Sequence, residues 1–211
     1  QQRLGGDPPD LDDAEVFKHY FAVIQQLLAS GQLLAYHDRS DGGLLATVCE
    51  MAFAGRVGVD IHLDALATDN AAVLFNEELG AVLQVAHDKV AAVLAALQSH
   101  PTLRDHVQRI GRPRDDQKII ISRNAVTVFE STRSKLEQVW SATSYQMQAL
   151  RDDIDCAREE HSRLSDDTDP GLHAHLTFTV NDGSVPMIAG GARPRVAILR
   201  EVRHLIAPGG A

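Results

Sequence analysis

One stretch, Tyr36-His37-Asp38-Arg39-Ser40-Asp41-Gly42-Gly43-Leu44, constrains this chain more than any other. The apolar run Leu33-Leu34-Ala35 leads into it. A helical pattern, Leu44-Leu45, Val48 and Met51-Ala52, leads out. A strand, a polar turn with paired glycines and a helix are the expected parts. Gly42 and Gly43 have no Cβ, so another backbone or a ligand can come close. Such a turn can aim N–H groups and a helix N-terminus at an anion. Two carboxylates, Asp38 and Asp41, beside such donors suggest a divalent cation shared with a phosphate. The structural alternative is a capped turn with Ser40 or Asp41 as N-cap. Spacing leaves both readings open, because glycine-rich turns are common.

The surroundings predict alternating helices and short strands. Gly5 to Asp13 reads as a loop, with Asp12 or Asp13 capping a helix that carries Val16, Tyr20, Val23, Ile24, Leu27 and Leu28 and stops at Gly31. The helix from Gly43 should end near Gly55, and Val57 to Ile61 alternates like a strand. Asp69-Asn70 can cap a short helix from Ala71 to Asn76. Ala81 to Ala86 is a strand candidate, and Asp88 is the expected cap of a helix carrying Val90, Val93, Leu94 and Leu97. Val107–Ile110, Lys118–Ile121 and Ala125–Phe129 read as short strands, with Arg123-Asn124 turning between the last two. Ser131 is the expected cap of the longest helix. Along it Leu136, Trp140, Thr143, Met147, Leu150 and Ile154 alternate spacings of four and three, which predicts one continuous buried stripe with Trp140 and Met147 in the core. Ser162 to Leu172 is polar and reads as a linker, Leu176 to Val180 as a strand, Gly190-Gly191 as a hinge and Val196 to Leu199 as a buried strand. Strands and helices in this order predict an α+β or α/β fold.

Composition narrows the function classes. The chain has 211 residues, 44% of them apolar and 23% charged, which is an ordinary globular balance. A net charge of -9 without a Lys/Arg cluster argues against a nucleic-acid partner. Cys49 and Cys156 are too few for a disulfide framework or a zinc site, and both fall in helical patterns, which favours a reducing, cytoplasmic setting. No apolar run approaches membrane-spanning length. Gln1 to Leu4 has neither signal-peptide character nor an initiator Met, as expected of a piece of something longer.

Other candidate sites are weaker. His173 and His175 flank one residue and could share a metal, but no third ligand is apparent nearby. Glu77 and Glu78 adjoin Asn76, and as consecutive residues they cannot both face one ligand on a regular element; helix-end solvation is their expected role. No nucleophile elbow is visible, and neither Cys sits in a nucleophile context.

Several blocks together resemble the large, single-chain phosphoribosylformylglycinamidine synthases. They are Leu34 to Leu44, Glu50-Met51-Ala52-Phe53-Ala54-Gly55, Leu74-Phe75-Asn76-Glu77-Glu78-Leu79-Gly80-Ala81-Val82 and Trp140-Ser141-Ala142-Thr143-Ser144-Tyr145-Gln146-Met147-Gln148. Asp169-Pro170-Gly171-Leu172 and Gly191-Ala192-Arg193-Pro194-Arg195-Val196-Ala197-Ile198-Leu199-Arg200-Glu201 continue the order and spacing. The resemblance implies an α+β fold, a mixed sheet packed with helices like the C-terminal domain of aminoimidazole ribonucleotide synthetase-related proteins, plus a long helix and an extended tail. It implies a synthetase-type domain over 1–163, a linker over 164–191 and the truncated start of a glutaminase domain over 192–211. The family converts formylglycinamide ribonucleotide, ATP and glutamine to formylglycinamidine ribonucleotide. By resemblance Asp38 is a magnesium ligand and Ser40 a nucleotide (ATP or ADP) contact, while Asp41, Gly42 and Gly43 shape the loop. The partners implied are the remaining synthetase and glutaminase domains and a small-molecule nucleotide, with no membrane and no nucleic acid. After Glu201 the family continues with a Gln-Gly-Val-Asn-like turn, whereas this chain has Val202-Arg203-His204-Leu205-Ile206 and ends at Ala211. The expectation is a fragment inactive by itself. A free-standing nucleotide-binding module and a structural piece with an empty loop are the competing readings.

Overall fold

A computed structural model describes residues 10, 11, 13–169 and 174–178. Backbone packing divides the chain into a unit ending at Asp169 and a second from Pro170. In the second unit the described residues 174–178 form no helix or strand. The predicted strand Leu176–Val180 is therefore absent over its first three residues, and its remainder, the tail and the strand Val196–Leu199 lie outside the described residues.

The first unit is α+β, built on two sheets. β1 (Ala35–Asp38) pairs antiparallel with β3 (Ala81–Gln84), placing Asp38 opposite Ala81. The second sheet has β2 (Gly58–His62) between β4 (Gly111–Arg114) and β5 (Lys118–Arg123), with β6 (Val126–Thr132) on the outer edge. Only β2 and β5 run parallel, so this sheet is mixed, as expected.

Helix α1 (Ala14–Ala29) starts where the Asp13 carboxylate accepts the N–H groups of Glu15 and Val16. Its Ile24 and Leu27 bury against Val93 and Leu97 of α4 (Val90–Gln98), with Leu83 and Val85 alongside. Helix α2 (Gly43–Gly55) lies across the second sheet. Leu44 and Val48 join Ile61, Leu63, Leu74 and Ile121 in one cluster, and Cys49, Ala52 and Phe53 join Ile119 in another. Burying this apolar face is what holds the start of α2, and the turn before it, at a fixed place over the sheet. Asp69 caps α3 (Asn70–Phe75) as expected.

Several boundaries differ from expectation, each for a local reason. Asp88 does not cap α4; it sits inside a 3-10 turn, His87–Lys89, and the residue before α4 makes no side-chain cap. Val107–Ile110 is not a strand. Val107 packs beside Val93 and Leu97, and although the Ile110 carbonyl accepts the His62 N–H at 2.7 Å, strand pairing with β2 begins only at Gly111. Asn124 and Ala125, both at positive φ, make the β5–β6 turn instead of Arg123-Asn124. Ser131 still pairs with Ile119 in β6, so Thr132 caps α5 (Arg133–Arg151) one residue later.

The largest correction concerns the long helix. Asp152 is extended and Asp153, accepting N–H groups from Asp155 and Cys156, starts a new helix, α6 (Ile154–Arg163). The apolar spacing runs through this break without a change of phase, which hid it. Nor is the stripe buried: Trp140, Met147, Leu150 and Ile154 are all exposed, and only Leu136 reaches the core. Arg133 at the start of α5 is fully buried instead. Its Nε donates to Gln117 Oε1 at 2.6 Å, Nη2 meets Asp167 Oδ1 at 2.6 Å and Nη1 pairs with Glu137.

Candidate functional site

The site begins with the backbone of Asp38, the last residue of β1. Its carbonyl accepts from Thr47 Oγ1 of α2 at 3.1 Å and from His37 Nδ1 at 2.7 Å. Strand alternation then sends the Asp38 side chain outward, where it is 64% exposed and has His37 Nδ1 3.7 Å from its Oδ1. His37 Nε2 lies 3.0 Å from Glu50 Oε2, so both ring nitrogens face oxygen acceptors. Glu50 Oε1 in turn accepts from Trp140 Nε1 at 2.9 Å, and the Trp140 ring sits against Phe53, centroids 5.8 Å apart. A carboxylate facing solvent is thus mounted on a main chain held from behind by α2.

The turn after Asp38 is fastened to residues more than thirty positions away. The Arg39 N–H donates to the Gly80 carbonyl at 2.8 Å, its Nε to Glu78 O at 2.6 Å and its Nη2 to Leu79 O at 3.2 Å. Burial lowers the Arg39 pKa, with Glu78 acting the other way. The Gly42 N–H donates to Glu77 Oε1 at 2.9 Å, and the Gly43 N–H to the Ser40 carbonyl at 2.9 Å. Gly42 and Gly43 have φ of +82° and +68°. A Cβ on Gly43 would stand 2.8 Å from Leu74 O, Phe75 C and Asn76 O, so the paired glycines serve a backbone crossing as well as a turn.

These contacts correct two expectations. The residue that caps α2 is Gly42, not Ser40 or Asp41, and it makes no side-chain cap. The Gly42 and Gly43 N–H groups are already taken within the chain, by the Glu77 carboxylate and the Ser40 carbonyl, so they are not free for a bound anion. Glu77 is exposed just past the end of α3, as expected, but its carboxylate also holds the turn. The only signal for that was the block Asn76 to Gly80, whose partner cannot be read from local spacing.

Ser40 and Asp41 are exposed, and neither side chain hydrogen-bonds to any described residue. Asp38, Ser40 and Asp41 therefore offer two carboxylates and a hydroxyl on one rigid turn. Among the described residues no group of three or more His, Cys, Asp or Glu side chains could hold a metal ion. That donor set still fits one ion type. Magnesium is commonly held by one or two carboxylates, with phosphate and water completing its shell. Elsewhere, His175 is exposed and His173 lies outside the described residues. The Cys49 thiol is pushed up to about 11, mainly by burial, which removes it as a nucleophile near neutral pH.

Comparison with known proteins places the chain in a family and supports its fold. The family described as AIR synthase related protein, C-terminal domain, matches residues 2–124. Phosphoribosylformylglycinamidine synthase of Schizosaccharomyces pombe is 48% identical over 202 residues, which is 95% of this chain and 15% of that protein. The chain thus spans about 15% of the length of this curated relative. Among solved structures, T. maritima PurL complexed with AMPPCP superposes with a TM-score of 0.50 at 16% identity, over 62% of this chain and 23% of that one. The ADP complex gives 0.50 and 16%, over 61% and 23%. At that identity the structures bear on the fold alone. No helix among the described residues is long and apolar enough to cross a membrane. The chain belongs to the AIR synthase related protein, C-terminal domain family, in a version closely similar to that of phosphoribosylformylglycinamidine synthase.

Proposed function

We propose that this chain is a portion of a cytoplasmic purine-biosynthetic ligase, the ATP- and glutamine-dependent enzyme that makes formylglycinamidine ribonucleotide, and that it supplies one edge of a magnesium–nucleotide site. Asp38 is the magnesium ligand and Ser40 the nucleotide contact; Asp41, Gly42 and Gly43 shape the loop. The observation that carries the reading is the exposed Asp38 carboxylate on a main chain fixed by Thr47 and His37. A fixed ligand loses little freedom when an ion binds, which favours affinity. Bound magnesium would neutralise phosphate charge. The protein's own part is to hold the carboxylate and the Ser40 hydroxyl in place beside it. The T. maritima proteins of the same fold are described as complexes with AMPPCP and ADP, the ligand class assigned here. In this reading residues 1–163 are the synthetase-type domain, 164–191 a linker and 192–211 the start of a glutaminase domain.

With only one carboxylate assigned to the ion, the site is incomplete within this chain. Binding by the isolated chain should therefore be weak, and we expect no synthetase or glutaminase turnover from it alone. Calorimetric titration of magnesium-ATP, into this chain and into the S. pombe enzyme carrying it in place of the matching segment, tests the reading. Asp38→Asn keeps the shape and removes the charge, so it should cost more affinity than Ser40→Ala, and only with magnesium present. Loss of a neutral hydroxyl contact is worth about 0.5–1.5 kcal/mol. If magnesium-dependent affinity survives Asp38→Asn unchanged, the turn is a structural cap. Turnover by the isolated chain above background would also overturn the proposal.

A further inference from the structure

Helix α5 carries more apolar surface than its neighbours use. Near its start Leu136 packs with Ile119 and Phe53. One flank meets α6: Tyr145 stacks on His161 with centroids 4.3 Å apart, Gln148 Nε2 donates to Glu160 Oε2 at 2.8 Å, and Ala157 is buried. Trp140 touches Phe53 of α2, ring centroids 5.8 Å apart, and beyond that contact the stripe runs on through Met147 and Leu150 to Ile154, the first residue of α6; among the described residues these four are 60%, 67%, 91% and 51% exposed. Val139 widens it. A helix of 19 residues is about 28 Å long, so the stripe continues well past the contact with α2. Spacings of four and three along it are those of a surface that receives another helix.

We infer that this stripe is a docking face for an apolar helix from another domain of the same, longer polypeptide; the inference rests on the reading of the chain as part of a larger ligase. Two observations select that occupant. The curated S. pombe relative matches nearly the whole chain yet is covered over only 15% of its length, so such chains carry much further polypeptide. The stripe is also small for free association. Five side chains make a patch of roughly 300–600 Å², the size class of functional patches. A stable interface between separate molecules needs about 800 Å² per partner. A partner on the same chain is present at effective concentrations on the order of millimolar, so a smaller face suffices.

Thiol labelling tests the inference. In a Cys156→Ser background Leu150→Cys places a reporter at the most exposed stripe position, and buried Cys49 checks that the domain is folded. The isolated chain should be monomeric by light scattering and should label quickly at position 150. In the S. pombe enzyme with this chain substituted for its matching segment, labelling should be about tenfold slower or more, since docking adds a local opening step. Equal rates in both would overturn the inference. Slow labelling of an isolated dimer would make a second copy the occupant. Slow labelling of an isolated monomer would assign it to the chain's own residues beyond 178. If Cys49 reacts in the chimera, hydrogen exchange on the intact S. pombe enzyme replaces it: the helix aligned with Arg133–Arg151 must be better protected there than in this chain. Loss of nucleotide binding would leave all these outcomes unchanged, so failure of the functional reading is separately visible.

Discussion

Gly43→Ala should be far more damaging than an alanine at another glycine with the same backbone angle. Gly31 and Gly43 have φ of +63° and +68°. An added Cβ at Gly31 meets nothing within 4 Å. That substitution therefore carries only the left-handed backbone cost, about 1–2 kcal/mol. At Gly43 the Cβ would lie 2.8 Å from three main-chain atoms of Leu74, Phe75 and Asn76. Main-chain atoms cannot rotate aside, so an overpacking cost of about 1–3 kcal/mol is added. A total near 3 kcal/mol would lower the melting temperature of a chain this size by about 6–12 °C. In urea the midpoint would fall by about 1–3 M with the slope unchanged. Gly42→Ala should fall between, since its Cβ would meet the Ala46 side chain at 2.8 Å. Urea denaturation of the three variants, followed by circular dichroism, ranks them. If Gly43→Ala loses no more stability than Gly31→Ala, the segment Leu74–Asn76 is not held against the turn, and the backbone crossing at the paired glycines loses its basis.

Other consequences are smaller or broader. Arg133→Met removes the cation shared by Gln117, Glu137 and the half-exposed Asp167; because water can reach the carboxylates left behind, the cost should be about 1–3 kcal/mol, read as a drop in melting temperature, and full stability would mean that these three residues do not depend on this guanidinium. Ala125→Gly should stabilise by about 0.5–1 kcal/mol, because Ala125 stands at φ +61° in the β5–β6 turn; an unchanged denaturation midpoint would contradict it. Asp116 is held at about 2 chiefly by its hydrogen bond from Arg114, and Asp152, Asp153 and Asp166 are lowered by Arg151, by the Cys156 N–H and by Thr168. The folded chain therefore binds fewer protons than the unfolded one as pH falls from about 4 toward 2, and stability should decline across that window. Asp116→Asn should flatten the decline in an acid titration; an unchanged slope would discount the Arg114 pair.

How much of this was legible beforehand depends on the range of the interaction. The cap at Asp69, a cap at Asp12 or Asp13, the extent of α2 and the presence of a glycine turn are set by neighbours a few residues apart, and the sequence by itself determined them, leaving Asp13 to be chosen by the structure. The resemblance blocks likewise identified the family without a structure. β4 was missed because Gly111-Arg112-Pro113-Arg114 has no apolar alternation; its pairing with β2 depends on a strand fifty residues earlier. The break at Asp152-Asp153 was missed because Leu150 and Ile154 keep helical spacing across it. Periodicity shows that one face of α5 is apolar, not what covers it, so a stripe expected in the core stands exposed at Trp140, Met147 and Leu150. The same limit applies at the turn. Local chemistry announced Asp38, Ser40 and two glycines, but only the tertiary structure decided that Glu77 takes the Gly42 N–H and that the Asn76 backbone fills the space beside Gly43. A hydrogen bond closing a loop of 35 residues forms because packed helices and strands bring its ends together, and no local pattern encodes that distance.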